Sequence, residues 1–557
     1  MFALFLFYAE TAVCRTNKSD EEQEKVALFT DRSIYIVGEK LHFFAVMYPV
    51  SHLSDKVESE VLYCELIAPD GEKIAGSKNV IINSAAEGCL PIPDDLPSGT
   101  YYIRAYSKLM RNSGPESYEY KPLKIINPGW DEVLPGTANL TNENGNVEGN
   151  EAEFSTGMIG VSVDNNTART SENIVATIES TDASSKAYKG LCISVVPEIV
   201  LPHLGNVIPN KKLRPIEYRF YAENQGLSLT GKLTEGTDRK LVSGKRINLS
   251  IIGEGRDFMA VRTDNNGRFF FSLPAYYGSR DLFLCAEKTT ASDLKIWIDN
   301  DFCSLPVSLP SPVFSLSDQE RASILSMARN KQINSHFQPD STDVLPNIKL
   351  EEKAFYGEPT TILYLDQYVQ LPTLEEYFNE LPGLVKVRKR NGEPYFKIIG
   401  SSNLSFYDPL VMIDWVAVDE LSKILAVAPQ SISRIEIVNE TYIKGGQTYG
   451  GVISLISKKG DFAGIDLPSA GIFINYSFFS ENLCRQSYPM PSVNQPDARN
   501  TVLWETGITL PKGDKKEFAF KAPDTPGNYI VVVEGLTTEG ERVISSAHFK
   551  VENQNSN

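Results

Sequence analysis

The side chains best suited to acid–base work or metal binding near neutral pH are five histidines, His42, His52, His203, His336 and His548. None falls in an H-x-x-x-H or H-E-x-x-H spacing that would set two imidazoles on one metal, so they read as structural or surface groups. The seven cysteines, Cys14, Cys64, Cys89, Cys192, Cys285, Cys303 and Cys484, include no C-x-x-C pair, which argues against a zinc site. They read as small buried hydrophobes, with Cys64–Cys89 and Cys285–Cys303 left open as bridges within a domain. No G-x-S-x-G elbow activates a serine, and no G-x-x-x-x-G-K-[ST] loop cradles a phosphate. Gly445, Gly446, Gly450 and Gly451 lie between strands and suit sharp turns.

Thr263-Asp264-Asn265-Asn266-Gly267 has the alternating oxygens of a calcium loop, but the completing acid is missing and Arg268-Phe269-Phe270-Phe271 reads as strand. A hairpin turn is expected there. The paired acids Asp94-Asp95 and Glu375-Glu376 read as solvated faces or helix starts. Trp130, Trp297, Trp415 and Trp504 are expected in the core. No catalytic, cofactor-binding or metal-binding residue is assigned, no cofactor is expected, and the chain reads as a non-enzyme.

The elements that would position such residues are strands. A chain of 557 residues needs several cores, and hydrophobic residues at 42% with 27 Phe and 25 Tyr exclude global disorder. A net charge of −17 repels polyphosphate, which excludes nucleic acid as an expected partner. The apolar run Met1 to Tyr8 is too short to span a bilayer and reads as the hydrophobic stretch of a signal peptide over residues 1–14, although it has no basic start. A lipid-modified Cys14 is the lesser reading.

Alternating strands end at Gly/Pro/Asn/Asp turns along most of the chain, as in successive β-sandwiches. Leu28 to Val46 is strand, turn at Val37-Gly38-Glu39, strand; LPSGTYYIRAY, Leu96 to Tyr106, is a turn feeding a strand in which Tyr101, Ile103 and Ala105 share a face. The same grammar returns at Pro526-Gly527 with a strand from Tyr529 to Glu534, and more weakly from Gly160 to Ile178. Residues 128–156 carry few large apolar side chains and read as a linker. Residues 306–349 read as a second linker holding one helix, with a capping box at Ser317 and Glu320 and Ile324, Ala328, Ile333 and Phe337 at helical spacing. Beyond it, a helix TLEEYFNEL, a hairpin at Asn391-Gly392, and further short strands and a helix predict a small mixed α+β domain.

Three segments resemble known families. TDRSIYIVGE, Thr30 to Glu39, with SGTYYIRAYSKLMRN, Ser98 to Asn112, resembles the MG2 domain of the α2-macroglobulin superfamily over residues 25–127, which implies an immunoglobulin-like sandwich. The family's protease traps carry a G-C-G-E-Q thioester, and Glu87-Gly88-Cys89-Leu90 is not one. Residues 157–225 read as a second macroglobulin-like sandwich. Residues 226–305, with GLSLTGKL, KRINLSIIG and TDNNGRFFFSLP, resemble the carboxypeptidase-regulatory-like fold, which implies a structural module. Residues 350–480 resemble the plug of TonB-dependent outer-membrane receptors through Pro409 to Asp414 and Tyr449 to Gly460, with Trp415 in place of the family's Gly. A further sandwich is expected over residues 495–553. The 97 residues after Gly460 cannot supply a transporter barrel of many ~10-residue strands, so transport by this chain alone is not expected.

The fold class expected is therefore mainly β: tandem immunoglobulin-like β-sandwiches with one small α+β plug-like domain, an order that resembles large envelope proteins of the Bacteroidetes type. The function expected is that of a non-catalytic binding or scaffold protein in the periplasm, outer membrane or cell surface, holding a protein or glycan partner and having no transmembrane segment. Two alternatives stand beside it. One is a macroglobulin-like protease inhibitor with 128–156 as bait, and the other an accessory subunit docking on an outer-membrane barrel protein.

Overall fold

The computed structural model describes residues 24–49, 57–136, 154–155, 159–181, 188–201, 220–253, 255–287, 293–337, 354–381, 383–400, 404, 406–467, 471–480 and 496–553. The expected signal peptide, His52, His203, Cys14 and Cys484 lie outside them, as does most of 128–156. The chain is mainly β and forms two compact units, one of Met1–Asn224, Phe302–Thr342 and Asn482–Asn557, the other of Gln225–Asp301 and Asp343–Glu481. Among the described residues no helix is long and apolar enough to cross a membrane.

The first unit holds two immunoglobulin-like sandwiches. In the first, Glu24–Thr30, Lys40–Pro49 and Ala85–Pro91 form one sheet, and Ile34–Ile36, Glu119–Ile126, Gly99–Tyr106, Val61–Ile67 and Lys73–Val80 form the other. Strand Gly99–Tyr106 is buried along its whole length. Tyr101, Ile103 and Ala105 share one face as expected, and the other face is covered by the segment from Phe302 to Pro310. There Tyr102 donates to Pro310 O (2.5 Å), Arg104 to Cys303 O (2.9 Å), and Cys303 N donates to the Tyr106 hydroxyl (2.7 Å).

The second sandwich departs from the expected domain order. Asn173–Ser180 lies between Ile159–Val163 and Lys515–Lys521, while Tyr188–Pro197 lies between Leu503–Ile508 and Gly527–Thr537, which pairs in turn with Arg542–Glu552. The sandwiches expected separately over 157–225 and 495–553 are thus one, with a single core containing Ile174, Ile193, Phe520, Val531 and Phe549. Either half alone has too few strands to cover its apolar face, and periodicity is local and carries no information on which strands meet.

Both sandwiches carry a tyrosine corner, the buried hydroxyl that ties a strand start to the backbone upstream. Tyr101 donates to Pro97 O and Tyr529 to Thr525 O, each four residues back and each at 2.8 Å. These are the two Pro/Gly turns that look alike in the sequence.

Helix α1 (Asp318–Phe337) starts on the expected capping box: Ser317 N donates to Glu320 Oε2 (2.8 Å) and Glu320 N to Ser317 Oγ (3.2 Å). It does not separate the sandwiches as a linker would. Ile324 and Met327 insert among Ile34, Ile36 and Ile126 of the first and Val196, Val200, Ile530 and Val532 of the second. Phe337, expected on the apolar face, is 45% exposed because the turn bearing Asn330, Lys331 and Asn334 faces the sandwiches with polar groups.

In the second unit, Lys240–Leu241, Ser228–Glu235, Arg268–Ser272 and Leu294–Ile298 form one sheet of a sandwich. Asp257–Arg262, Arg246–Ile252, Ser279–Ala286 and Ile472–Ser477 form the other. The module expected at 226–305 therefore takes its last strand from within the expected 350–480. Asp264 caps the turn after Thr263 by accepting from Asn266 N and Arg268 N, both at 2.8 Å. That turn crosses between facing sheets, so the strands beside it are not the hairpin pair expected.

The α+β domain has a five-stranded sheet in the order Thr361–Tyr364, Ile432–Val438, Val452–Ser457, Leu410–Ile413, Val416–Ala417, with helices α2 (Leu374–Glu380) and α3 (Leu421–Leu425). Its hairpin Val385–Arg390 to Glu393–Ile398 closes on Asn391 and Gly392, at φ 52° and 86°, as the turn chemistry predicts. Gly445-Gly446 closes a second two-residue hairpin. Asp414 and Trp415 form a similar turn at φ 44° and 72°, strained for a non-glycine pair. The turn is held because Asp414 accepts from Ser457 N, Ser457 Oγ and Phe462 N, and Trp415 stacks on Tyr356 with centroids 5.7 Å apart.

Tyr101→Phe and Tyr529→Phe are each expected to lower stability by about 1 kcal/mol, the usual net worth of a buried hydrogen bond. The double variant should lose the sum, because the corners sit in different sandwiches. Denaturant midpoints check both; no shift from either would mean the corners contribute nothing.

Candidate functional site

The motif Thr30 to Glu39 builds a buried polar interior with Asp31 and Arg32 at its centre. Asp31, with no exposed surface, accepts from the Tyr35 hydroxyl (2.6 Å), from His42 N (3.2 Å) and, across to the second sandwich, from Thr501 Oγ1 (2.7 Å). Its carbonyl accepts from Ser194 Oγ (2.7 Å). Arg32 lies over the Tyr35 ring and pairs with Glu39 at 2.9 Å. Asn500 carries the network on, donating to Glu39 Oε1 (2.7 Å) and to Met327 O of α1 (3.1 Å), and Lys331 of α1 donates to Val37 O (2.6 Å). Strand ends, loops and helix meet here, and what they make is a joint.

Other buried charges do the same. Arg104 donates to Glu65 at 2.7 Å, both fully buried; burial alone would lower the guanidinium pKa, and the Glu65 hydrogen bond and charge raise it instead. Between the sandwiches, Lys121 faces Glu534 at 3.7 Å and Arg542 is bonded to Glu119. Burial lowers the Lys121 pKa and raises that of Glu119. His42 is held down to about 4, first by burial, with Asp31 opposing and Arg32 and Lys40 reinforcing. His336 and His548 are exposed.

Cys64, Cys192, Cys285 and Cys303 are free and buried, so neither bridge left open, Cys64–Cys89 or Cys285–Cys303, forms. Cys64 and Cys89 stand in different sheets of the first sandwich. Among the described residues no three His, Cys, Asp or Glu side chains are grouped to hold a metal. Asp94-Asp95 is exposed, and Glu375-Glu376 begins α2, where Thr373 Oγ1 accepts from Glu376 N. Of the tryptophans expected in the core, Trp415 is buried and Trp504 partly so, whereas Trp297 is 36% and Trp130 47% exposed.

Within the second unit a cavity of about 360 Å³ opens against Arg246, Asp419, Tyr395, Phe396, Glu287 and Tyr449. Arg246 pairs with Asp419 at 2.8 Å, and burial pushes the Tyr449 hydroxyl up to about 12. Arginine, carboxylates and aromatic walls suit a small polar ligand, and the lining has no nucleophile beside a base. Sequence reasoning missed this site because Arg246 and Asp419 lie far apart along the chain, with no local signal.

No protein-family model matches the chain, and no curated protein matches it. Among solved structures it is similar to a Salmonella α2-macroglobulin mutant, at 10% identity and a TM-score of 0.23, over 98% of this chain and 40% of that one. It is similar to trypsin-activated Escherichia coli α2-macroglobulin at 8% identity and a TM-score of 0.22, over 96% and 42%. The Escherichia coli adhesin FdeC is similar over 50% of this chain and 64% of that one, at 12% identity and a TM-score of 0.15. The chain spans about 40% of the length of the macroglobulin chains. Scores this low carry no inference about shared activity.

Asp31→Ala removes one partner of a buried ionic network and is expected to cost about 3–5 kcal/mol. A thermal midpoint equal to that of the parent would remove the joint from the account. His42, neutral when folded, takes up a proton on unfolding between its unfolded pKa of 6.5 and about 4, so its contribution is present above pH 6.5 and lost as pH falls. That contribution is on the order of 3 kcal/mol. Melting from pH 7 to 4.5 should therefore fall less steeply in His42→Gln than in the parent, and parallel slopes would contradict it.

Proposed function

We propose that the protein is a non-catalytic binding or scaffold protein of a Gram-negative cell envelope. The sandwiches of the first unit form a rigid spacer, and the second unit, with its regulatory-like sandwich and plug-like domain, meets a protein or glycan partner. The observation that carries this reading is the placement of buried charge. Asp31, Arg32, Glu65, Arg104, Lys121 and Glu534 are engaged inside or between the sandwiches of the first unit, where such groups fix orientation. Resemblance of the sandwich and plug-like segments to envelope proteins supports the location.

Immobilised intact chain should retain a component from separated outer-membrane protein or envelope polysaccharide fractions. A chain lacking 354–467, which keeps the strand Ile472–Ser477 for its sandwich, should lose it. Retention unaffected by that deletion would remove the α+β domain from the binding role. In a parallel assay, protease turnover should be unchanged on mixing; a fall in turnover with cleavage inside 128–156 would replace this reading with the inhibitor one.

A further inference from the structure

The hairpin Val385–Arg390 to Glu393–Ile398 is a two-stranded sheet with one face turned to a core and the other largely exposed, Lys386 and Tyr395 on it being half-buried. Val385, Phe396 and Ile398 enter the core of the α+β domain. Side chains alternate along a strand, so the opposite face carries Lys386, Arg388 and Arg390 with Lys397, Tyr395 and, across from Arg390, the single acid Glu393. Lys386 stands directly across from Lys397, an arrangement that costs stability. Arg390 lies 4.6 Å over the Tyr395 ring and 3.8 Å from the exposed Asp408, and Lys386 donates to Asn379 O at 3.1 Å. Arg388, Lys389 and Lys397 are exposed and have no ionic partner among the described residues. A concentrated positive face on a chain of net charge −17 is a local departure from the protein's own field.

The same hairpin has an open edge. A two-residue turn makes Arg390 and Glu393 a hydrogen-bonded pair, and bonded and non-bonded pairs then alternate. The Ile399 N to Leu384 O bond, 2.6 Å, fits that phase. Backbone groups of Val387 and Lys389 therefore point outward from Val385–Arg390, and among the described residues nothing pairs with them. The other strand's edge is blunted at Pro394, which has no N–H.

We propose that this edge takes up an extended acidic segment of a partner protein, paired as an added strand, with carboxylates at alternate positions along Lys386, Arg388 and Arg390. Successive cations on that face repeat every ~6.8 Å, the rise of two residues of an antiparallel strand, so an alternating acidic strand matches them one for one. Main-chain bonds to Val387 and Lys389 supply affinity, and the charges select the pattern. The inference deepens the binding-protein reading and rests on it.

The test uses the intact chain at low salt and a fluorescein-labelled eight-residue peptide alternating glutamate with valine or threonine. The peptide should bind, and an isomer of the same composition with its glutamates in one block should bind more weakly. Lys386→Glu with Arg388→Glu should weaken binding by about tenfold or more. Lys389→Pro, which removes an outward N–H and leaves the ladder intact, should bind more weakly than Lys389→Ala. Equal binding of both peptides, with Lys389→Pro matching Lys389→Ala, would overturn strand addition. So would binding to phosphatidylglycerol vesicles but not to the peptide, or no binding together with self-association once the cations are neutralised, which would make them guards of an open edge. If envelope capture persists in any of these cases, the broader reading stands and only this site fails.

Discussion

A carboxylate sealed from water must be met on every side, and Asp31 is met by groups from both sandwiches of the first unit. Tyr35 and His42 belong to its own sandwich, and Thr501 comes from the other, more than four hundred residues along the chain. An unsatisfied buried charge costs several kcal/mol, so Asp31 tolerates few placements of these neighbours. Glu39 and Asn500 extend the same demand to α1. Apolar contact through Ile324 and Met327 supplies attraction between the same three elements but little direction. The polar contacts supply the direction.

This explains why the segment Thr30 to Glu39 looks like a motif without being a reaction centre. Its acid, arginine, tyrosine and glutamate are types that catalysis also uses, and here each is occupied by the others or by a neighbouring element. Gly38, at φ 75°, turns the chain so that Glu39 can face Arg32, and a Cβ there would meet Asp94 and Lys331. Charged residue types in a tight local pattern can record a joint as readily as a site.

What was legible from sequence was local. The Asn391-Gly392 turn, the Ser317/Glu320 capping box, the Pro/Gly turns before Tyr101 and Tyr529 and the mainly β class depend on interactions within a few residues. What was not legible depended on partners far away. The sandwich shared by Asn173–Ser180 and Lys515–Lys521, the strand Ile472–Ser477 lent to another module, and the meeting of Arg246 with Asp419 leave no periodic trace. Trp415 shows both at once: its position marks a turn, but stacking on Tyr356 and the Asp414 bonds are what let a bulky residue adopt a glycine's conformation.

The divided second sandwich sets an order of events in time. Its strands Asn173–Ser180 and Tyr188–Pro197 leave the ribosome long before Lys515–Lys521 and Gly527–Thr537, against which they close. Throughout that interval Tyr188–Pro197 lacks both strands it pairs with, and Asn173–Ser180 has only Ile159–Val163 beside it, while the intervening modules are made. The strands from Lys515 to Glu552 act as a clasp, so the first unit reaches its final form only after they have emerged.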